Sequence, residues 1–310
     1  MNKKTLIKRT VLAVATSYTT LISAGYAVYL LATGWSNKQK LAGRQASLEA
    51  NTDIENEWFK HQEQSPWAIK TADGLTLRAT FMPNAQNTNK VAILAHGLHH
   101  SREQMIPYAR LFMDAGYSVL MPDARAHGRS DGNVIGFGWL DRNDYQQWID
   151  TVIANQGEQV NIVLMGISMG ATTVMATSGQ TLPHNVRAIV EDSGFRNVFQ
   201  EGKFRLWHKY HVPSSVLMPV ADDFAKRQAG YAFKDGDILA EVAKNHLPIL
   251  MFHGAKDQTV PVGDAYELYA RANEPKQLII DDEAAHISSI RTQPSKYRQT
   301  LTDFLNRYVK

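Results

Sequence analysis

Short apolar runs alternate with amphipathic stretches through most of this chain, and that rhythm restricts the fold more than any other feature. KVAILAHG, SVLMPDAR, NIVLMGIS, VRAIVEDSG, LPILMFHGAKD and KQLIIDDEAAH have strand length and few polar positions. Between and after them lie REQMIPYARLFMDAGY, DRNDYQQWIDTVIANQ, MGATTVMATSG, VGDAYELYARAN and PSKYRQTLTDFLNRYV, which carry helical spacing. A strand that is apolar almost throughout has to be covered on both faces, which calls for a mostly parallel sheet between helices. The expected class is therefore α/β. Before the first such run, PWAIKTADGLTLRATFMP reads as a hairpin about Asp73-Gly74, adding antiparallel strands at one edge. Residues 195–245 break the rhythm: they are rich in aromatics, helical in pieces and too long for an ordinary loop.

Charge is unevenly placed. The first 44 residues hold seven basic side chains and no acid, so with a net charge of +3 for all 310 residues the remainder is net acidic. The basic character belongs to the N-terminus, and no basic stripe on the body suggests nucleic-acid binding. Cysteine is absent, which excludes disulfides, thiolate nucleophiles and cysteine metal sites.

From Thr10 to Asn37 there is no charged residue. About 20 helical residues cross a bilayer core of roughly 30 Å, so the stretch is long enough for a span. The expected organisation is a basic cytoplasmic segment (1–9), a signal-anchor span (10–35), a juxtamembrane connector (36–64) and a catalytic domain (65–310). A cleaved signal peptide, with Gly25-Tyr26-Ala27 as the cleavage site, is the alternative. Four basic residues precede the run and Lys38, Lys40 and Arg44 follow it, a slight bias toward an outward-facing domain at a bacterial membrane.

Ligands of open α/β sheets bind beyond the carboxyl ends of the strands, so polar residues there hold the chemistry. Ser168 stands between Gly166 and Gly170 at the end of an apolar run. A serine on a sharp strand-to-helix turn projects its hydroxyl at a helix N-terminus, where developing negative charge is favoured. The three-residue pattern alone arises by chance in about one chain in ten of this length. The strand before it and the helix after it give it weight. His286, after the last strand, is the candidate base, and Asp257, after the preceding strand, the candidate orienting carboxylate. Asp192 is the rival carboxylate. Met169 and Leu98 are the expected backbone donors of an oxyanion hole. Three histidines, His96, His99 and His100, invite a metal reading, but no carboxylate sits at a matching spacing, and neither a metal nor a cofactor is expected.

Together these stretches resemble the α/β-hydrolase superfamily, within it a group of membrane-anchored or secreted bacterial hydrolases, mostly from Firmicutes, related to prolyl-oligopeptidase-like and cinnamoyl-esterase-like enzymes. AHGLHHSREQM, GYSVLMPDARAHGRSDG, GFGWLDRNDYQQWI, LMGISMGATTVM, IVEDSGF, PILMFHGAKDQTVP and AAHISS carry the likeness, over roughly residues 65–308. The resemblance implies Ser168, Asp257 and His286 as a triad, with Leu98 and Met169 as oxyanion donors and His127 as part of a pocket-edge loop. It implies that 195–245 is a small helical cap. The expected activity is a carboxylesterase on acyl or aryl esters, with Phe195, Phe199, Phe204, Trp207 and Tyr210 suited to an apolar group. A peptidase with the same triad, or a silent membrane-tethered binding domain, are the alternatives. Neither oligomeric state nor physiological ester is legible.

Overall fold

A computed structural model describes residues 3–34, 36–86 and 89–309, with side chains from residue 15 onward. The chain divides into two compact units, Trp35–Asn197 with Asp237–Lys310, and Met1–Gly34 with Val198–Gly236.

The larger unit holds one eight-stranded sheet in the order β1-β2-β4-β3-β5-β6-β7-β8. Its strands are β1 (Ser65–Lys70), β2 (Thr76–Met82), β3 (Lys90–Ala95), β4 (Ser118–Pro122), β5 (Asn161–Ile167), β6 (Val186–Asp192), β7 (Ile249–Gly254) and β8 (Lys276–Asp281). The hairpin β1–β2 is antiparallel, β2 runs antiparallel to β4, and every other pairing is parallel. Helix α1 (Lys3–Thr33) precedes α2 (Asn37–Glu49), α3 (Asp53–Lys60), α4 (Ile106–Asp114), α5 (Asp141–Gln156) and α6 (Met169–Ser178). Then come α7 (Val198–Tyr210), α8 (Ser214–Gln228), α9 (Ile238–Val242), α10 (Val262–Arg271), α11 (Ser289–Thr292) and α12 (Pro294–Tyr308).

The strand period of two splits the apolar residues between two cores. Ile93, Leu164 and Ile189 face a layer formed with Trp148 and Ile149 of α5 and Val174 of α6. Leu94, Met165 and Val190 face the opposite layer, with Phe112 of α4 and Leu301 and Phe304 of α12. Each such side chain contributes about 1.5–3 kcal/mol by leaving water, which is why β3, β4, β5 and β7 are apolar nearly throughout, whereas β6 also carries Arg187, Glu191 and Asp192. The α/β-hydrolase arrangement expected from the sequence is the observed one.

The stretch read as a juxtamembrane connector, 36–64, is structured and docked on this unit. Ser36 caps α2 and Thr52 caps α3, each in a capping box with Gln39 or Glu55. Arg291 holds Glu55 through a paired contact at 2.6 and 2.8 Å, and Trp58 and Phe59 pack on the second core.

The smaller unit is helical. Tyr26 of α1 meets Phe224 of α8 with ring centroids 4.8 Å apart, and Tyr29 is buried. Of the stretch 195–245 expected as a cap, α7 and α8 belong to the smaller unit, whereas Phe195 and α9 belong to the sheet unit. The five aromatics expected to share one lining divide accordingly, and Trp207 and Tyr210 are exposed. The expected membrane span at 10–35 is not supported. Among the described residues no helix is long and apolar enough to cross a membrane. The serines, threonines and tyrosines of α1 dilute its apolar run, and one stripe of its described half faces α8. Residues 1, 2 and 35 and the side chains before residue 15 lie outside the described residues.

Candidate active site

β5 delivers its chemistry at its carboxyl end. Ser168 sits between β5 and α6 with φ 53° and ψ −117°, a conformation a side-chain-bearing residue adopts only when its surroundings enforce it. Its N–H donates to the Asp192 carbonyl at 2.8 Å, and its own carbonyl accepts from Thr172 N–H at 3.0 Å. The two glycines have distinct jobs. A Cβ on Gly166 would lie 2.1 Å from the Gly170 carbonyl oxygen, so the turn would collide with itself. A Cβ on Gly170 would lie 2.0 Å from the Ala95 carbonyl oxygen, so α6 could no longer seat against the end of β3.

His286, after β8, brings Nε2 to 2.9 Å from Ser168 Oγ. Its Nδ1 lies 2.6 Å from Asp257 Oδ2. An ionised carboxylate only accepts, so Nδ1 carries the proton and Nε2 is free to accept one from the serine. The other oxygen of Asp257 accepts from the N–H groups of Thr259 and Val260 at 2.8 and 2.9 Å. Burial alone would raise the Asp257 carboxyl, but its bonds with His253 and His286 outweigh this and hold it well below the usual carboxylate range. Asp192, the rival, is engaged elsewhere: it accepts from Tyr297 Oη at 3.1 Å and Ser193 Oγ at 2.8 Å.

Leu98 and Met169 pack in one small cluster with Ala126 and Ile135. Gly97 lies against the serine, since a Cβ there would be 3.5 Å from Ser168 Cβ. Among the described residues neither Leu98 N–H nor Met169 N–H bonds a backbone carbonyl outside its own element.

The histidines of the neighbouring loops hold shape. His96 Nε2 accepts from Ala124 N–H at 3.0 Å, so its proton sits on Nδ1 and donates to the Gly97 carbonyl at 2.8 Å. His127 works the same way between His99 N–H and the Arg125 carbonyl. Burial keeps both neutral, with His127 pushed down to about 3. Among the described residues no cluster of three or more candidate ligands could hold a metal ion.

Two buried residues near the site escape a sequence reading. His253 Nε2 lies 3.1 Å from the Val260 carbonyl and 3.4 Å from Asp257 Oδ2, a second imidazole on the same carboxylate. Glu191, fully buried at the end of β6, has Oε1 without a partner, and burial pushes its carboxyl up to about 8. Their signal in the sequence is a titratable residue near the carboxyl end of a strand.

Comparison with known proteins agrees with this geometry. Residues 86–210 match the family model described as serine aminopeptidase, S33. The uncharacterized protein YqkD of Bacillus subtilis is 28% identical over 250 residues, spanning 81% of this chain and 82% of that protein. The uncharacterized protein YfhR of Escherichia coli K12 is 26% identical over 257 residues, 77% of this chain and 81% of its own length. Among solved structures, the Pyrococcus furiosus esterase Pf2001 superposes with a TM-score of 0.68 at 23% identity, covering 84% of this chain and 97% of the esterase. The acylaminoacyl peptidase of Pyrococcus horikoshii superposes with a TM-score of 0.60 at 16% identity, over 82% of this chain but 43% of the peptidase. With the sheet order, the serine turn and these likenesses in agreement, the chain belongs to the α/β-hydrolase superfamily.

Proposed function

We propose that the protein is a serine hydrolase, specifically a carboxylesterase on acyl or aryl esters. The observation that carries this reading is His286 bridging Ser168 Oγ at 2.9 Å and Asp257 Oδ2 at 2.6 Å. In this reading Ser168 Oγ attacks the ester carbonyl while His286 Nε2 takes its proton. The N–H groups of Leu98 and Met169 receive the oxyanion, and Asp257 stabilises the imidazolium. His286 returns the proton to the departing alcohol, leaving an acyl-serine. Water, deprotonated by the same nitrogen, then releases the acid. The Pf2001 esterase likeness favours esters; the partial cover of the acylaminoacyl peptidase gives peptides less support. The test is fluorophosphonate labelling of wild type and Ser168→Ala, then a series of p-nitrophenyl esters. Labelling and turnover are expected in the wild type and in neither assay for the variant; an unlabelled, inactive wild type removes the reading.

Attachment to a bacterial membrane, with the catalytic unit outside, is a separate proposal. Its support is the charge-free run Thr10–Asn37 behind four basic residues. Fractionation should find the full chain with the membranes; recovery in the clarified supernatant alone would exclude membrane attachment.

A further inference from the structure

Helix α2 precedes the first strand of the sheet and contributes no group to the triad, yet it grips the loop that carries Leu98. Ser47 is wholly buried and its hydroxyl is fully committed. It donates to the Gly43 carbonyl at 2.8 Å, accepts from Ser101 N–H at 2.9 Å and lies 3.2 Å from His100 Nδ1. One donor and two lone pairs are all that a hydroxyl has. Gly43 makes the closest approach: a Cβ there would lie 2.3 Å from the His99 carbonyl oxygen, one residue from Leu98. Farther along, Asn51 Nδ2 donates to the Glu103 carbonyl at 2.8 Å and Arg44 Nε to the Glu103 carboxylate at 2.9 Å. At the other end, Lys40 Nζ donates to the carbonyls of Ser130 and Gly132 at 3.0 and 2.6 Å, on the loop that carries His127.

A glycine inside a helix needs a reason, because alanine is the better helix former. Here the reason lies outside the helix. The His99 carbonyl occupies the space a methyl group would fill. His99 itself has φ 66°, so the loop crosses α2 in a conformation set by contact.

We infer that α2 is part of the catalytic apparatus: Gly43 and Ser47 are positioning residues that fix the Leu98 N–H where an oxyanion forms beside Ser168. The inference rests on the hydrolytic reading of that site. It separates two roles that proximity alone would merge. A helix that merely anchors the loop would lose stability from alanine at position 43, through the His99 carbonyl, while its folded molecules kept full kcat. A helix that sets a donor's position loses transition-state stabilisation from the same change.

The experiment compares full-length wild type, Gly43→Ala and Ser47→Ala. Readouts are kcat and KM on p-nitrophenyl butyrate, the inhibition constant of butylboronic acid as a tetrahedral mimic, and Tm. Loss of one oxyanion donor costs roughly 100- to 1,000-fold in kcat. A displaced donor is expected to cost about tenfold or more. KM should stay within about twofold, and the boronic acid should weaken by the same factor as kcat. A Cβ 2.3 Å from a backbone carbonyl forces the loop to shift, so the Tm of Gly43→Ala should fall, and kinetics are read well below it, where the variant is folded. Full retention of kcat and boronate affinity in both variants overturns the inference, as does a loss of kcat confined to temperatures inside the variants' thermal transitions. Ser47→Ala adds no volume, so it decides the matter if Gly43→Ala does not fold. An active wild type with indifferent variants removes only this inference; an inactive wild type removes the hydrolytic reading and this inference with it.

Discussion

At the scale of single residues, two carboxylates of the same type and similar burial do different work because of what faces them. Asp257 meets His286, whereas Asp192 meets Tyr297 and Ser193. Asp257→Asn should lower kcat by about 10⁴, since the amide no longer holds the required tautomer. Asp192→Asn should leave kcat within about tenfold. Steady-state kinetics on both variants checks this, and a reversed order would reassign the carboxylate. Glu191 adds a pH-dependent prediction. Its carboxyl titrates at about 8 when folded and near 4.3 when unfolded. Between those values the folded protein holds a proton that the unfolded chain has released, so this residue's contribution to stability falls as pH rises. Glu191→Gln cannot release that proton. Its Tm relative to wild type should therefore climb from pH 5 to pH 8, by about 2–4 °C per kcal/mol. A gap that stays constant between those pH values would sink the idea.

At the scale of elements, legibility follows the kind of contact an element makes. The strands and α5, α10 and α12 were readable because their contacts are apolar and periodic. The meeting of Ser168, His286 and Asp257 was legible because each follows a strand, in the chain order the resemblance implies. The docking of α2 was not. Lys40, Ser47 and Asn51 bind carbonyls and N–H groups of distant loops, and hydropathy does not register such bonds. His253 was missed for a related reason. In the run ILMFHG it counts only as one polar interruption, while its effect depends on Asp257 four residues later folding back toward it. The two glycines around Ser168 were legible as a turn, but only the fold shows that Gly170 answers to Ala95 in β3 rather than to the serine.

At the scale of the molecule, the candidate site residues all belong to one of the two units: Ser168, Asp257, His286, Leu98 and Met169 lie in the sheet unit. The insertion leaves and returns at one place, because Asn197 bridges Asp237 in antiparallel fashion and Val198 N–H donates to the Gly236 carbonyl at 3.0 Å. A variant that begins at residue 35 and joins Asn197 to Asp237 through a short glycine linker should remain folded. On the proposed hydrolytic reading it should still label with a fluorophosphonate. Circular dichroism and labelling check both expectations, and failure to label would show that the helical unit is needed to form the site.

The position of His286 sets a sequence of events in time. It follows β8, which lies at the edge of the sheet and pairs with β7 alone. During synthesis Ser168 and Asp257 emerge first, and their strands can find neighbours before β8 exists. Until that last strand adds to the edge, the serine has no base and the nascent protein is chemically silent. Latency of this kind needs no inhibitor or propeptide. It follows from the order of the strands, and on the proposed hydrolytic reading it would leave Ser168 without its base until β8 has joined the sheet.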